Sequence, residues 1–289
     1  HSAAYAILVM RTAYLKAHYP NEYMAAVLSS YMGSADRLIK YISSCNHNGT
    51  PVLPPDINGS NIEFTPVEDG IRFGLMGVRG IGRNVAEVII AERDKGGPYK
   101  NLHDLVSRVD LKTVNRKAID ALIKGGTFDS CGYTRKQLMY FLEETPLLEE
   151  AQKRQKDASQ GQVTMFDMFG DVEDSGFEVH VPEPDGVEWP ARELLRYEKE
   201  IMGIYVTGHP LEPYEEMMSR ITKHTMGELA ERHSDLKSST FVGLVSTVVI
   251  KPTKRGTNMA TFQLEDATGM VDCILFDHAK YAQMIHEDA

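Results

Sequence analysis

The first third of the chain alternates apolar and polar positions at helical spacing. Leu8, Thr12 and Leu15 share one face of a first helix, and Met24, Val27, Leu28 and Tyr31 share one face of a second, with Pro20 suited to its first turn. Asp36 is placed to cap a third helix carrying Leu38, Ile39, Tyr41 and Ile42, which ends by Gly49. Three prolines make 51–58 extended. Leu75, Val78 and Ile81 then lead into a tight turn, Gly80-Ile81-Gly82, and a helical run follows with Val85, Ala86, Ile89 and Ile90 on one face. A second pair of runs joins Leu102, Leu105 and Val109 to Val114, Ile119, Leu122 and Ile123 through Thr113-Val114-Asn115. Residues 189–200 read as one more helix. The pattern changes to β-branched strands at 240–250, 259–264 and 270–276. The fold class is α+β and multidomain: mainly helical, then an all-β end.

The turn at Gly80-Ile81-Gly82 carries the first chemical signal. Two glycines around one buried aliphatic residue let the chain reverse tightly. They also let a phosphate approach the backbone N–H groups at the N-terminus of the next helix, where unpaired donors and the helix dipole favour an anion. An ordinary αα-hairpin satisfies the same pattern. Arg79 and Arg83 at the edges of the turn favour the helix-hairpin-helix, a sequence-independent grip on a nucleic-acid backbone. In the second turn Asn115 keeps a side chain that limits close approach, while Lys112, Arg116 and Lys117 supply charge. The two turns read as a tandem pair in which the first grips phosphate more closely.

Charge supports that reading through its distribution. The chain of 289 residues carries −10 overall, made up of −1 over residues 1–75, +5 over 76–136 and −14 over 137–289. The basic segment is the one with the two turns, as a phosphate-binding face requires. No apolar run approaches the roughly 18 residues of a membrane span, and no signal peptide opens the chain, so no membrane partner is expected. Cys45, Cys131 and Cys273 are far apart and have no metal-ligand spacing, which fits a reducing cytoplasm. The chain begins at His1 in helical sequence and reads as a piece of a longer protein.

Two further stretches bear on function. Residues 143–162 are strongly polar, and the apolar island Gln162-Val-Thr-Met165-Phe166 follows. Such an island either enters a core or fills a partner's pocket. At the β end, a long strand, a hairpin with Lys254 and Arg255 and two shorter strands make the first half of an OB-fold. Phe241, Phe262 and Phe276 are candidates for base stacking, although strand alternation places some of them in the core. His209 beside Pro210 has no spaced nucleophile or second ligand and reads as a turn.

His1-Ser-Ala-Ala-Tyr5, Thr12-Ala-Tyr-Leu-Lys-Ala-His-Tyr-Pro20, Leu53-Pro-Pro-Asp-Ile-Asn58 and Gly208-His-Pro-Leu211 resemble successive stretches of the α (catalytic) subunit family of bacterial DNA polymerase III. The resemblance covers essentially the whole chain. It implies the end of a fingers domain at 1–70, a clamp-binding domain at 71–235 with tandem hairpins at 71–130 and a linker at 143–188, and a truncated OB-fold at 238–289. It implies duplex DNA at Arg79, Gly80, Ile81, Gly82, Arg83, Lys112, Asn115 and Arg116. Gln162, Met165 and Phe166 resemble the peptide that docks on the sliding clamp, and Lys254, Arg255 and Phe262 are placed for single-stranded template. Other replicase subunits are expected partners. Catalytic residues and Mg²⁺ belong to the parent polymerase upstream of His1, so no cofactor is expected in this piece, which is expected to be inactive alone. Two alternatives stand beside this reading: an error-prone paralogue of the same polymerase, and a non-enzymatic repair adaptor built from hairpin and OB modules.

Overall fold

Residues 2–159, 182–232, 239–253, 256–276, 278–281 and 284–285 are described by the structure, a computed structural model. Their helices are α1 (Ser2–His18), α2 (Pro20–Ser30), α3 (Ala35–His47), α4 (Arg83–Gly96), α5 (Leu102–Arg108), α6 (Arg116–Lys124), α7 (Arg135–Glu144), α8 (Leu147–Ser159), α9 (Ala191–Met202), α10 (Glu215–Ile221), α11 (Met226–Arg232) and α12 (His278–Tyr281). The strands are β1 (Val52–Leu53), β2 (Thr65–Val67), β3 (Gly70–Arg72), β4 (Leu244–Pro252), β5 (Asn258–Asp266) and β6 (Gly269–Leu275). Two compact units result: one of residues 1–52, 68–71 and 204–289, the other of 53–67 and 72–203.

In the first unit Leu28 and Leu38 are buried between α2 and α3, and Tyr31 stacks on Tyr41 with ring centroids 5.3 Å apart. Burial pushes the Cys45 thiol up to about 11, which keeps it protonated and unreactive. Helix α1 buries none of its side chains, so its apolar stripe lies open. The sheet is an antiparallel meander in the order β4-β5-β6, with Val245 opposite Leu264 and Leu264 opposite Val271. Its ladder is irregular between Ser246 and Val249, where Thr247 adopts φ 52°. Asp266 holds the β5–β6 turn by accepting from the Thr268 and Gly269 N–H groups, and its other oxygen accepts the Met226 N–H at 2.8 Å.

The second unit is built around the hairpin region. Phe73, Leu75, Ile89, Leu102, Leu105, Ile119, Leu122 and Phe128 form its buried centre. Residues 53–62 strap onto this centre through polar anchors. Asn58 exchanges two hydrogen bonds with the Tyr99 backbone, and Arg93 donates to the Ile57 and Ser60 carbonyls. Each bond satisfies a backbone group that would otherwise be lost from water. Segment 183–188, the end of the expected linker, is irregular but tied to α7. Gln137 exchanges bonds with Glu183 and Asp185, and Glu188 accepts the Arg135 and Lys136 N–H groups at the helix N-terminus.

The polar centre of this unit is Arg135, only 3% exposed. It pairs with Asp129 at 2.7 Å and with the fully buried Glu198 of α9 at 3.1 Å, and donates to the Lys124 carbonyl at the end of α6. Gly126 makes room for it, since a Cβ there would meet the guanidinium at 2.3 Å. Removing one member of a buried pair leaves an uncompensated charge. Arg135→Ala is therefore expected to lower the unfolding free energy by about 3–5 kcal/mol in urea denaturation. An apolar pair, Arg135→Met with Glu198→Leu, recovers most of that loss.

His103 on α5 gives a pH signature. It faces Phe141 edge-on at 5.2 Å, its Nδ1 is buried with no hydrogen-bond partner among the described residues, and burial holds its pKa below the usual 6.5. Unfolded chains take up a proton at this position below about pH 6.5 while folded ones resist it, so stability is present above that pH and falls below it. His103→Phe is expected to flatten the loss of thermal midpoint between about pH 7 and pH 5.5.

Candidate nucleic-acid interface

The first turn is entered differently from the sequence expectation. A helix through Leu75, Val78 and Ile81 is reduced to one 3-10 turn, Leu75–Gly77. Val78 is extended, with ψ 120°, and the Arg79 N–H, which an α-helix would direct to the Leu75 carbonyl, bonds instead to the Ile201 carbonyl at 2.8 Å. Phe73 also packs where a Cβ on Gly77 would lie. The chain then turns at Gly80, φ +89°, and buries Ile81 to 4% exposure, and α4 starts after Gly82. Its first intrahelical bond runs from the Ala86 N–H to the Gly82 carbonyl. The N–H groups of Arg83, Asn84 and Val85 thus precede the helical ladder and have no acceptor within it.

The second turn repeats the residue pattern 33 positions later, placing Val78, Ile81, Gly82, Ala86 and Ile89 against Leu111, Val114, Asn115, Ile119 and Leu122, although Thr113, at the offset of Gly80, has no positive φ. The apolar members of both sets are buried. The two N-cap residues share one backbone conformation, φ −80° and ψ 168° at Gly82 and φ −79° and ψ 173° at Asn115. The same offset matches Arg79 to Lys112 and Arg83 to Arg116, and all four are exposed. The expected tandem is therefore present as a repeat of buried positions and helix starts, with basic side chains at equivalent positions.

The two turns are closed by different means. Asn115 caps α6 itself, its side chain accepting the Ala118 N–H at 3.1 Å. Asp110 accepts the Lys112 N–H and the Thr113 hydroxyl, and those bonds hold its carboxyl below the usual carboxylate range. Gly82 makes no side-chain cap, and a Cβ on either Gly80 or Gly82 would meet nothing within 4 Å. At Gly80 the positive φ requires glycine. At Gly82 neither the backbone conformation nor the packing does, so what its glycine leaves is an open approach to the helix N-terminus. Arg83 is not idle there: its guanidinium lies 2.6 Å from the Glu63 carboxylate, a contact that sequence spacing does not announce.

The remaining expected sites divide by location. Gln162, Met165 and Phe166, and likewise Lys254 and Arg255, lie outside the described residues. On the near side of the first group, α8 is anchored by Gln155, which donates to the Val106 and Val109 carbonyls. On the far side the anchor is 183–188. Phe262 is half-buried on β5 opposite Cys273, and Phe276 is exposed. His209 forms a turn: Glu212 accepts its N–H at 2.8 Å, and its Nδ1 accepts from Leu211. Among the described residues no helix is long and apolar enough to cross a membrane.

Comparison with known proteins agrees with the repeat. A family profile described as "Helix-hairpin-helix motif" matches residues 49–138, which takes in both turns. Residues 49–138 are thus a helix-hairpin-helix region. Over its full length the chain is homologous to a part of bacterial DNA polymerase III subunit alpha. It is 40% identical to the Thermus aquaticus subunit over 285 residues, covering 96% of this chain and 22% of that one. It is 35% identical to the Vibrio cholerae subunit over 291 residues and to the Escherichia coli K12 subunit over 294, covering 100% of this chain and 25% of each relative. The chain spans about a quarter of the length of the relatives it matches.

The capping difference has a measurable consequence for stability. Asn115→Ala is expected to lower the unfolding free energy by about 1 kcal/mol, whereas Gly82→Asn, with backbone and space already suited to it, raises it by a few tenths. Urea unfolding of the two variants reads both signs.

Proposed function

We propose that this chain is the DNA-handling and clamp-tethering region of a replicative DNA polymerase α subunit. The observation that carries the reading is the repeated N-cap geometry, two helix starts each flanked by basic side chains, one of them left open by a glycine that the fold itself does not require. Phosphates of a duplex would lie at the N–H groups following Gly82 and at α6, with Arg79, Arg83, Lys112 and Arg116 supplying charge. Such a grip carries no sequence information, as a polymerase moving along its template requires. Gly80 and Ile81 shape the first turn, and Asn115 contributes through the cap it makes.

Gln162, Met165 and Phe166 serve as the clamp anchor, Gln162 hydrogen-bonding at one edge while Met165 and Phe166 fill an apolar cleft. The fixed ends on either side of them support this use. A weak anchor raises the local concentration of polymerase at the primer end between catalytic steps. Lys254, Arg255 and Phe262 guide single-stranded template on an OB-fold whose first three strands are β4, β5 and β6. The sequence segments 1–70, 71–235 and 238–289 are the end of the fingers, the clamp-binding domain and the OB-fold. Nucleotidyl transfer with Mg²⁺, contacts to other replicase subunits and the cytoplasmic setting belong to the whole enzyme, and this piece alone is inactive. A repair adaptor would account for the hairpins but not for homology along the entire chain.

Duplex binding by fluorescence anisotropy tests the grip. Arg79→Ala with Arg116→Ala is expected to reduce the slope of log K against log salt by about 1.8, two phosphate contacts at about 0.9 each. Gly82→Asn weakens binding several-fold while remaining folded. A purified bacterial sliding clamp tests the anchor: Met165→Ala with Phe166→Ala should lose roughly 2 kcal/mol of affinity. Unchanged slope and unchanged clamp binding would remove both assignments.

A further inference from the structure

Glu63 directly follows the 53–62 strap, 20 positions before the residue it contacts. Its neighbours on both sides are fixed. The Asn61 and Ile62 carbonyls accept from Leu75 and Met76, and Phe64 is buried against Phe73 with ring centroids 4.5 Å apart. The Glu63 backbone itself lies against Gly74 so closely that a Cβ there would meet its carbonyl carbon at 2.4 Å. Its own carbonyl accepts from the Thr65 hydroxyl. The carboxylate is therefore carried on a backbone that is already ordered, and it reaches Arg83, the first residue of α4, at 2.6 Å. Both side chains remain about half exposed, open to an incoming anion.

Resting on the DNA-binding reading above, we infer that Glu63 is an internal competitor for phosphate at the first hairpin. It holds Arg83 in an ion pair that a DNA phosphate must displace, and so lowers the affinity of the hairpin with the more open approach. The carboxylate occupies, on the Arg83 guanidinium, the place that a phosphate oxygen would take. Displacing it exchanges one anion for another, so Arg83 releases little net counterion on binding. In the second hairpin the nearby carboxylate, Asp110, is occupied instead within its own turn by the Lys112 N–H and the Thr113 hydroxyl. The tandem thus pairs an open but restrained site with a capped one that keeps Arg116 exposed. A grip weakened in this way suits a protein that must slide along duplex instead of settling on it.

The test is duplex binding by anisotropy between about 50 and 200 mM salt, with Glu63→Gln, Arg83→Ala, the double variant and Arg116→Ala, on the full 289-residue chain. Glu63→Gln is expected to tighten binding about threefold to tenfold at the low end, and to steepen the salt slope by about 0.9. In the Arg83→Ala background the same change is expected to have less than half that effect on affinity and none on slope. Glu63→Gln equal to or weaker than the parent, or an equal gain with and without Arg83, would overturn the inference. If Arg116→Ala weakens binding while Glu63→Gln does nothing, only the competitor role falls. If the parent and all variants fail to bind duplex at low salt, the DNA-binding reading falls first.

Discussion

Arg135 ties α9, 63 positions further along the chain, to the segment that closes the second hairpin. Its guanidinium meets Asp129 just after the second hairpin, Glu198 on α9 and the carbonyl that ends α6. A buried arginine is tolerated only when its donors are satisfied, so this site constrains the positions of all three. Gly126 follows from the same requirement, because any side chain there would fill the space the guanidinium needs. The N-terminus of α7, which carries Arg135, is also where Glu188 accepts two N–H groups and thereby fixes segment 183–188. One buried cation thus sets the frame in which α6, and with it the second hairpin, is held.

On that frame the two hairpins share one helix-start conformation with different chemistry on it. Equivalent φ and ψ at Gly82 and Asn115 show that the helix start is dictated by the turn and its buried aliphatic residue, Ile81 or Val114. What varies is who satisfies the first N–H groups. Asn115 does so from within the chain, whereas at Gly82 they are left for solvent or a ligand. Capping stabilises the protein and an uncapped start is available for binding, so a tandem pair separates the two properties between its halves.

Much of this was legible in the sequence because it depends on neighbours in the chain. Helical spacing located α2, α3, α4, α5 and α6, and alternation with turn residues located β4, β5 and β6. Gly80, Gly82 and Asn115 marked the turns, since conformational freedom and capping are properties of single residues read against the next three or four. The homology along the whole chain followed the order of its short stretches.

The tertiary structure decided what depends on residues brought from elsewhere. The run through Leu75 and Val78 has helical spacing, yet the Arg79 N–H that would continue it bonds to the Ile201 carbonyl, and only a single turn survives. The acidic stretch up to Glu188 has the composition of a linker, but α7 offers it a helix N-terminus and the side chain of Gln137. Glu63 is ordinary in sequence and meets Arg83 only because the segment that follows the strap carries it there. Arg135 and Glu198 look like surface charges on amphipathic helices until packing buries them together. Periodicity and turn chemistry act over a few residues and were set by the sequence alone. Ion pairing and backbone satisfaction at a distance depend on which segments the core brings within about 3 Å of each other, and only the folded chain determines that.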